Sequence, residues 1–424
     1  MDEVVDQADV SGFKDPLKKQ INGLFFNLWA FGSNSLVAWM PTRLGIDILS
    51  VPKVRLFNIE NPESRVFHGQ RQMEIDEFRQ TSQLVDSEPM EIRLEFTIGD
   101  DEAGLIEAEV EEIFRNYATF KTDYRAVLLL DIVGFSKHTP EAQASQLSTL
   151  EFALNIAEES CKQKNLPIEM RRSTTGDGFY IWNRLTGPEA DIALFVLMQL
   201  FLTYYSGLKR AITEKNAAPD IRTAAGLGSH NSFYAPGRDV LYTSDEYIVG
   251  DVTIDVARLI GKTNTHQIVI GAFSRPGKEG ESPLTPERMM QVASEKLKEF
   301  EGMPLFGNPV KKFSSYITGP KRENGTFKNQ KMRVIDKHGF EHICYNAKVN
   351  VFLEGDEPYY IGLQHSDLFG KEDARKWQKP TMLSTIINRG ASIGLMAAAL
   401  LTTSALAWRN IGIIWSHNKN DITS

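Results

Sequence analysis

Apolar residues along the chain follow two kinds of spacing, one typical of strands and one of helices. Residues 90–98 alternate between apolar and polar side chains, as in a strand with one buried face. Residues 126–133 form an apolar run interrupted only by Asp131, which is typical of a strand inside a sheet. Helical spacing occupies residues 103–120, 141–164, 191–212 and 252–260, and shorter apolar runs predict strands at residues 168–172, 179–183, 221–227 and 267–271.

From residue 126 onward these elements follow the order β-α-β-β-α-β. This order predicts an α+β fold built on a ferredoxin-like split βαβ core. We assign the core domain to residues 121–275 and an N-terminal extension to residues 1–120. Residues 276–375 predict a helix followed by short strands, which would form a small helical and β-rich extension.

Two uncharged stretches bear on membrane association. Residues 390–408 contain 19 residues without a charge, and as a helix they would span about 28 Å, close to the hydrocarbon thickness of a bilayer. The flank upstream of them is the more basic one, so we expect a C-terminal transmembrane helix over residues 386–409 that keeps the larger part of the protein in the cytoplasm. A buried core helix is the alternative. Residues 21–42 carry asparagines, serines and glycines, which favour a buried or membrane-surface helix over a spanning one.

Composition narrows the class of protein. The 424 residues suffice for two or three domains, and 42% hydrophobic with 24% charged residues is typical of a folded chain. A net charge of −8 gives no electrostatic reason to expect nucleic-acid binding. Cys161 and Cys344 are the only cysteines, so neither a disulfide framework nor a cysteine zinc site is indicated, which fits a reduced cytosolic compartment.

Two segments combine an apolar stretch, an aspartate and a glycine. Asp131 lies near the end of the run of residues 126–133, and Asp177 lies in a Thr-Gly-Asp-Gly turn between two predicted strands. Carboxylates brought together at such strand ends could hold Mg²⁺ or Mn²⁺ against a triphosphate. The sequence after Asp131, residues 134–136 (Gly134, Phe135 and Ser136), would leave backbone N–H groups facing phosphate oxygens. One such segment alone would more often be an ordinary turn.

These two segments resemble the metal-binding segments of the class III nucleotidyl cyclases, the adenylyl and guanylyl cyclase family. A third segment, residues 247–259, resembles the Gly-Asp-…-Ala-Arg-Leu helix of that family, and all three occur in its order. The resemblance covers about a third of the chain and implies the catalytic domain of a cyclase. Such an enzyme converts a nucleoside triphosphate into a 3′,5′-cyclic nucleotide and pyrophosphate.

The resemblance also implies roles for individual residues. Asp131 and Asp177, with the backbone carbonyl of Ile132, would share two Mg²⁺ or Mn²⁺ ions. Arg258 matches the arginine that stabilises the transition state, and a guanidinium suits that role because its forked donors bind phosphoryl oxygens. The family acts as a head-to-tail homodimer in which the carboxylates of one protomer face the arginine of the other.

This sequence departs from the family pattern at the ribose-binding position. The family usually has an asparagine four residues before the arginine, whereas Ile254 stands here, with Thr253 and Asp255 beside it as substitutes. The lysine that the family carries on a later strand has no clear match.

The base-reading positions of the family are occupied here by Ser173 and Tyr247, so neither purine signature is present. A tyrosine fills space that the second ring of a purine needs, which favours UTP or CTP. In general plan the chain is similar to the bacterial Pycsar pyrimidine cyclases, which make cUMP or cCMP in anti-phage defence. Two other interpretations remain open: an adenylyl or guanylyl cyclase with unusual base contacts, and a degenerate cyclase-like domain for nucleotide binding or dimerisation.

Overall fold

The computed structural model describes residues 11–30, 34–56, 59, 66–93, 103–212, 217–234, 246–277, 280–323, 325, 327–336 and 338–368. The expected transmembrane helix over residues 386–409 lies outside this range. Within the described residues one helix, Pro188–Ala211, is long and apolar enough to cross a membrane, but 89% of its most apolar window is buried inside the structure. That helix is therefore a core element of the fold.

The N-terminal part is a small three-stranded antiparallel sheet with helices on both faces. Its elements in chain order are α1 (Ser11–Ala30), β1 (Asn34–Thr42), β2 (Gly45–Pro52), α2 (Lys53–Leu56), α3 (Ile75–Val85), β3 (Met90–Arg93) and α4 (Ala103–Arg115). α1 and α4 cover one face, where Phe25, Trp39 and Phe114 are buried. α3 covers the other face through Phe78. The alternation predicted for residues 90–98 is seen in β3, and residues 94–98 lie outside the described residues.

The single helix expected over residues 21–42 is wrong. The first part of that stretch continues α1, but the second part is strand β1. β1 is buried on both faces, with Leu36 in one core and Val37 in the other, so its residues are apolar without alternation. A strand of this kind cannot be distinguished from a buried helix by periodicity alone.

The central part confirms the predicted order of elements. It contains β4 (Phe120–Ile132), α5 (Pro140–Gln163), β5 (Met170–Thr174), β6 (Gly178–Asn183), α6 (Pro188–Ala211), β7 (Ile221–Tyr234), β8 (Glu246–Val249), α7 (Asp251–Ile260) and β9 (Ile268–Gly271). The strands lie in the order β9-β7-β4-β6-β5, antiparallel except for the parallel pair β7 and β9. α5 and α6 pack on one face of the sheet, and α7 packs on the other. β4 and β7 are longer than expected, and β8 was not expected.

The C-terminal part extends the same sheet. Its elements are α8 (Pro286–Leu297), β10 (Pro304–Leu305), β11 (Asn308–Ile317), β12 (Lys331–Ile335), β13 (Glu341–Leu353) and β14 (Tyr359–Ile361). β13 pairs antiparallel with β9, so that Tyr345 lies opposite Ile270. Among the described residues the sheet thus contains 11 strands. The boundary assigned at residues 275 and 276 therefore falls between strands of one sheet.

Candidate active site

Asp131 lies at the carboxyl end of β4, on the α7 side of the sheet. Side chains alternate along β4, with Leu128 and Leu130 in the core beneath α5 and α6 and Leu129 in the core beneath α7. Asp131 shares the face of Leu129. Its side chain is only 13% exposed, and a carboxylate so withdrawn from water requires a compensating partner.

Asp177 is brought to Asp131 by the tip of the β5–β6 hairpin. β6 pairs with β4 so that Gly178 lies opposite Asp131, and the Ile132 N–H donates to the Asp177 carbonyl at 2.8 Å. Position 178 requires glycine, because a Cβ there would lie 1.9 Å from the Leu130 carbonyl oxygen. The missing side chain lets the two strands approach and brings both aspartates to one end of the sheet.

The two carboxylates are electrostatically coupled. Burial raises the pKa of Asp131, and the neighbouring Asp177 carboxylate acts in the same direction. Arg222 on β7 opposes this rise, since its Nε donates to Asp131 Oδ2 at 2.6 Å. Arg222 is a site residue that was not predicted from the sequence. An arginine inside a predicted buried strand was the available signal, because such a charge needs a partner carboxylate nearby.

Asp131 and Asp177 suit a divalent cation whose remaining coordination positions a bound ligand would fill. Carboxylate and carbonyl oxygens are the donors that Mg²⁺ prefers, and it usually keeps part of its shell for water and phosphate oxygens. No group of three or more His, Cys, Asp or Glu side chains that could hold a metal ion occurs among the described residues. The pair at the sheet end therefore provides a partial shell. A cation would bind the oxygens that Arg222 leaves open, or displace its guanidinium.

The chain turns sharply directly after Asp131 and Ile132. Gly134 has a φ of +74°, a left-handed conformation that favours glycine, and a short 3-10 turn follows over Phe135–Lys137. The Lys137 N–H donates to the Gly134 carbonyl at 3.0 Å. The N–H groups of Phe135 and Ser136 have no backbone acceptor among the described residues, as is usual at the start of such a turn. They remain available to an anion.

At the start of α7, the residues expected to contact substrate are partly engaged in the fold. The Thr253 hydroxyl donates to the Gly250 carbonyl at 2.8 Å and accepts from its N–H at 3.2 Å, which closes the first turn of the helix. Ile254 is 52% exposed. Thr253 thus stabilises the helix end, whereas Ile254 presents an apolar side chain to solvent.

Arg258 and Asp255 belong to an ionic cluster with the β12–β13 hairpin. Arg258 Nε lies 3.4 Å from Asp336 Oδ2, and the same oxygen lies 3.5 Å from His342 Nε2. His342 Nδ1 lies 3.3 Å from Asp255 Oδ1. No ion pair joins Arg258 to Asp131 or Asp177 among the described residues of this chain.

This cluster shifts the protonation of its members. The hydrogen bond to Asp255 raises the pKa of His342; burial opposes the rise and Asp336 adds to it. Burial acts to raise the pKa of Asp336, but the N–H groups of Phe340 and His338 and the His342 side chain lower it overall. The cluster therefore favours an imidazolium between two carboxylates.

The two positions that the resemblance predicts to read the base lie on strands that approach each other. Ser173 on β5 lies opposite Tyr180, whose hydroxyl donates to the Thr253 carbonyl at 3.2 Å, so Ser173 is on the α7 side of the sheet. Tyr247 lies on β8, which contacts β5, and is 49% exposed. The structure thus places these strands beside each other at the edge of the α7 face.

No protein-family model matches the sequence, and no curated protein is similar to it. The chain is similar in fold to solved structures that include catalytic domains of adenylyl and guanylyl cyclases. The guanylate cyclase domain of RhGC from Catenaria anguillulae, solved with GTP, is 12% identical with a TM-score of 0.32, covering 55% of this chain and 98% of that one.

Two other cyclase structures are similar at the same level. A dimeric guanylyl cyclase domain of the RhoGC fusion protein from Blastocladiella emersonii is 11% identical with a TM-score of 0.32, covering 53% of this chain and 96% of that one. The adenylyl cyclase CyaB from P. aeruginosa is 17% identical with a TM-score of 0.27, covering 39% and 93%. Similarities this low assign neither a family nor an activity to the chain.

Proposed function

We propose that this protein is a metal-dependent nucleotidyl cyclase that converts a nucleoside triphosphate into a 3′,5′-cyclic nucleotide and pyrophosphate. The observation that supports the proposal most is the pairing of Asp131 with Asp177 at the end of the sheet. The two carboxylates lie close together although Asp177 raises the pKa of Asp131, and a bound cation would offset that repulsion. The turn that follows β4 offers backbone N–H groups that could bind an anion.

In this proposal each residue has a defined task. Asp131, Asp177 and the Ile132 carbonyl would hold Mg²⁺ or Mn²⁺, two ions per site. When bound, these cations polarise the α-phosphate and favour the ionised 3′-hydroxyl. The N–H groups of Phe135 and Ser136, with the turn that Gly134 permits, bind the outer phosphates and orient the triphosphate.

The remaining charge is stabilised by Arg258 from a second copy of the chain. Arg258 pairs with Asp336 in its own chain, and in this proposal it reaches the phosphates of the partner's site across a head-to-tail dimer interface. A forked guanidinium there stabilises charge on the α-phosphoryl as the bond to the leaving group breaks. Thr253, Ile254 and Asp255 would then border the ribose from the same helix.

The base preference proposed here is pyrimidine. Ser173 and Tyr247 replace a charged pair with two hydroxyl groups and a bulky ring, which suits the smaller base edge of UTP or CTP. A cUMP or cCMP product would serve as a second messenger, and a role in anti-phage defence is part of the proposal. Anchoring through residues 386–409 would hold the catalytic domain at the cytoplasmic face of a membrane.

The test is competition among the four nucleoside triphosphates. Purified protein is incubated with Mn²⁺ and equimolar ATP, GTP, CTP and UTP, and the cyclic products are identified by mass spectrometry. A pyrimidine cyclase gives cUMP or cCMP well ahead of the purine products, and Tyr247→Ala loses that preference. A dominant cAMP or cGMP product overturns the pyrimidine preference and leaves the cyclase proposal intact.

One specific observation favours a second function, that of a nucleotide-binding or dimerisation module without catalysis. Both functional charges are already paired inside the chain, Asp131 with Arg222 and Arg258 with Asp336. In such a module triphosphates bind, but no cyclic product forms from any of the four. The competition assay therefore separates this function from both cyclase alternatives.

A further inference from the structure

The ion pair between Arg258 and Asp336 engages the Nε side of the guanidinium. Asp336 Oδ2 lies 3.4 Å from Arg258 Nε. Among the described residues, no acceptor forms a hydrogen bond with Nη1 or Nη2 of Arg258, whose side chain is 31% exposed. A guanidinium carries its N–H donors in a planar fork, so the two Nη groups remain available to a second anion.

Asp336 is itself held in place by the turn at the tip of the β12–β13 hairpin. Its Oδ1 accepts the N–H groups of His338 at 2.8 Å and Phe340 at 3.0 Å, and its own N–H donates to the Phe340 carbonyl at 3.0 Å. Aspartates often bond the backbone of a turn in this way. One carboxylate oxygen therefore serves the turn, and Oδ2 is left for the side chains of His342 and Arg258.

The hairpin and α7 share one hydrophobic core, which fixes the distance between them. Val334 and Cys344 of the hairpin are buried together with Val256 and Leu259 of α7, on either side of Arg258 in the helix sequence. Close-packed cores of this kind allow little movement between the elements that form them. Asp336 is therefore a fixed point from which the guanidinium can be oriented.

The atoms involved favour a contact that orients Arg258 over one that blocks it. A carboxylate that blocked the arginine would bind it most strongly through two parallel hydrogen bonds. Here a single carboxylate oxygen lies at Nε and is shared with His342. A side chain that is ordered before the substrate arrives loses less freedom when the substrate binds, so such a contact assists catalysis.

We propose that Asp336 is a positioning residue for Arg258, which it orients so that the Nη groups face the α-phosphate of a triphosphate bound in the partner subunit's site. The inference rests on the proposed cyclase function and gives the β12–β13 hairpin a part in it. Arg258 contacts the substrate, whereas Asp336 acts through Arg258. A misplaced guanidinium would stabilise the transition state less, because its donors would miss the oxygens on which charge develops.

Steady-state kinetics of four full-length proteins test this role: the wild-type chain, Asp336→Asn, Arg258→Ala and the double variant. Asp336→Asn keeps an oxygen for the turn but replaces Oδ2 by an amide nitrogen, which cannot accept from Arg258. We expect kcat to fall about 10- to 100-fold while KM stays within about twofold, because the lost interaction belongs to the transition state. In the double variant kcat should equal that of Arg258→Ala, since Asp336 then has no arginine to orient.

Glu341→Gln on the same hairpin is the matched control, because Glu341 pairs with Arg333. Its kcat should stay within about twofold of the wild-type value. Urea denaturation verifies that each variant folds, and Asp336→Ser, whose hydroxyl can also accept from the turn, takes the place of an unfolded Asp336→Asn.

The outcomes separate this inference from the proposed function. An unchanged or raised kcat in a folded Asp336 variant overturns the positioning role while the wild-type chain remains a cyclase. A double variant slower than Arg258→Ala also overturns it, because Asp336 would then act independently of the arginine. No cyclic product from the wild-type chain with any of the four triphosphates overturns the proposed function and the positioning role together.

Discussion

The charge state of Asp131 depends on its burial and on two neighbouring side chains. Burial and the Asp177 carboxylate favour its protonated form, whereas Arg222 favours the ionised form. In the proposed enzyme a bound cation would offset the cost of keeping Asp131 ionised beside Asp177. Ionisable groups whose charged form is costly in the unliganded protein are typical of functional positions.

Asp177→Asn should stabilise the metal-free protein. The change removes a like charge next to Asp131, so we expect the free energy of unfolding at pH 7 in EDTA to rise by about 0.5–1 kcal/mol. Urea denaturation measures this change. Asp76→Asn, at an exposed aspartate of α3, serves as the control and should change stability little. A destabilised Asp177→Asn protein would show that the two carboxylates do not repel each other.

The His342 cluster should make stability depend on pH. The folded pKa of His342 lies above its unfolded value, so its stabilisation is complete below about pH 6.5 and is lost as the pH rises through the folded pKa. We expect the free energy of unfolding to fall as the pH rises above about 6.5, and His342→Gln to flatten that slope. His138→Gln is the control. An unchanged slope in His342→Gln would assign the pH dependence to other groups.

At the scale of elements, the prediction from sequence was accurate where the spacing of apolar residues matches only one type of secondary structure. The helices α5, α6 and α7 and the hairpin β5–β6 were expected within a few residues of their observed limits. β1 was mistaken for a helix because both of its faces are buried. The pairing of β13 with β9 and the contact of β8 with β5 depend on residues far apart in sequence, and periodicity contains no information about such pairs.

The same distinction holds for the candidate site. Asp131, Asp177 and Gly134 could be identified because each interrupts an apolar segment with turn residues. The roles of Arg222, Asp336 and His342 could not, because each depends on a partner brought close only by the fold. The hydroxyl of Thr253 was expected to face a ribose, and its bonds within the helix cap could only be seen in three dimensions.

The junction between β4 and β6 should not tolerate a side chain at position 178. Gly178→Ala places a Cβ against the Leu130 carbonyl, so the strands must separate and Asp177 must move. We expect a loss of about 3 kcal/mol in the free energy of unfolding, together with loss of Mn²⁺ binding. Gly23→Ala in α1, where no atom lies within 4 Å of the added Cβ, should be neutral or slightly stabilising. Equal effects of the two substitutions would contradict the close approach of the strands.

At the scale of the whole molecule, the proposed catalytic site is divided between two copies of the chain. The carboxylate pair lies at the end of β4, and Arg258 is held in the cluster with Asp336 of the β12–β13 hairpin. In the proposed enzyme one chain supplies each half of the site once, and a head-to-tail dimer would bring two complementary halves together twice.

Mixing two inactive variants should restore activity. Asp131→Ala lacks a metal ligand and Arg258→Ala lacks the phosphoryl-binding arginine, so each homodimer has no complete site. A mixed dimer has one complete site, and up to half of the mixture forms mixed dimers if subunits exchange freely. We expect about a quarter of wild-type activity for that statistical mixture. Subunit exchange is verified by native mass spectrometry, and exchange without rescue would rule out the composite site.

The most direct test of the proposed chemistry is formation of cyclic nucleotide by the wild-type chain and by Asp177→Ala. Both proteins are incubated with Mn²⁺ and the four nucleoside triphosphates, and cyclic nucleotide and pyrophosphate are quantified together. The proposed mechanism predicts equal amounts of the two products from the wild-type protein and a loss of at least about 1,000-fold in Asp177→Ala. Cyclic product in equal amounts from both proteins, or none from the wild-type protein with any of the four substrates, would contradict it.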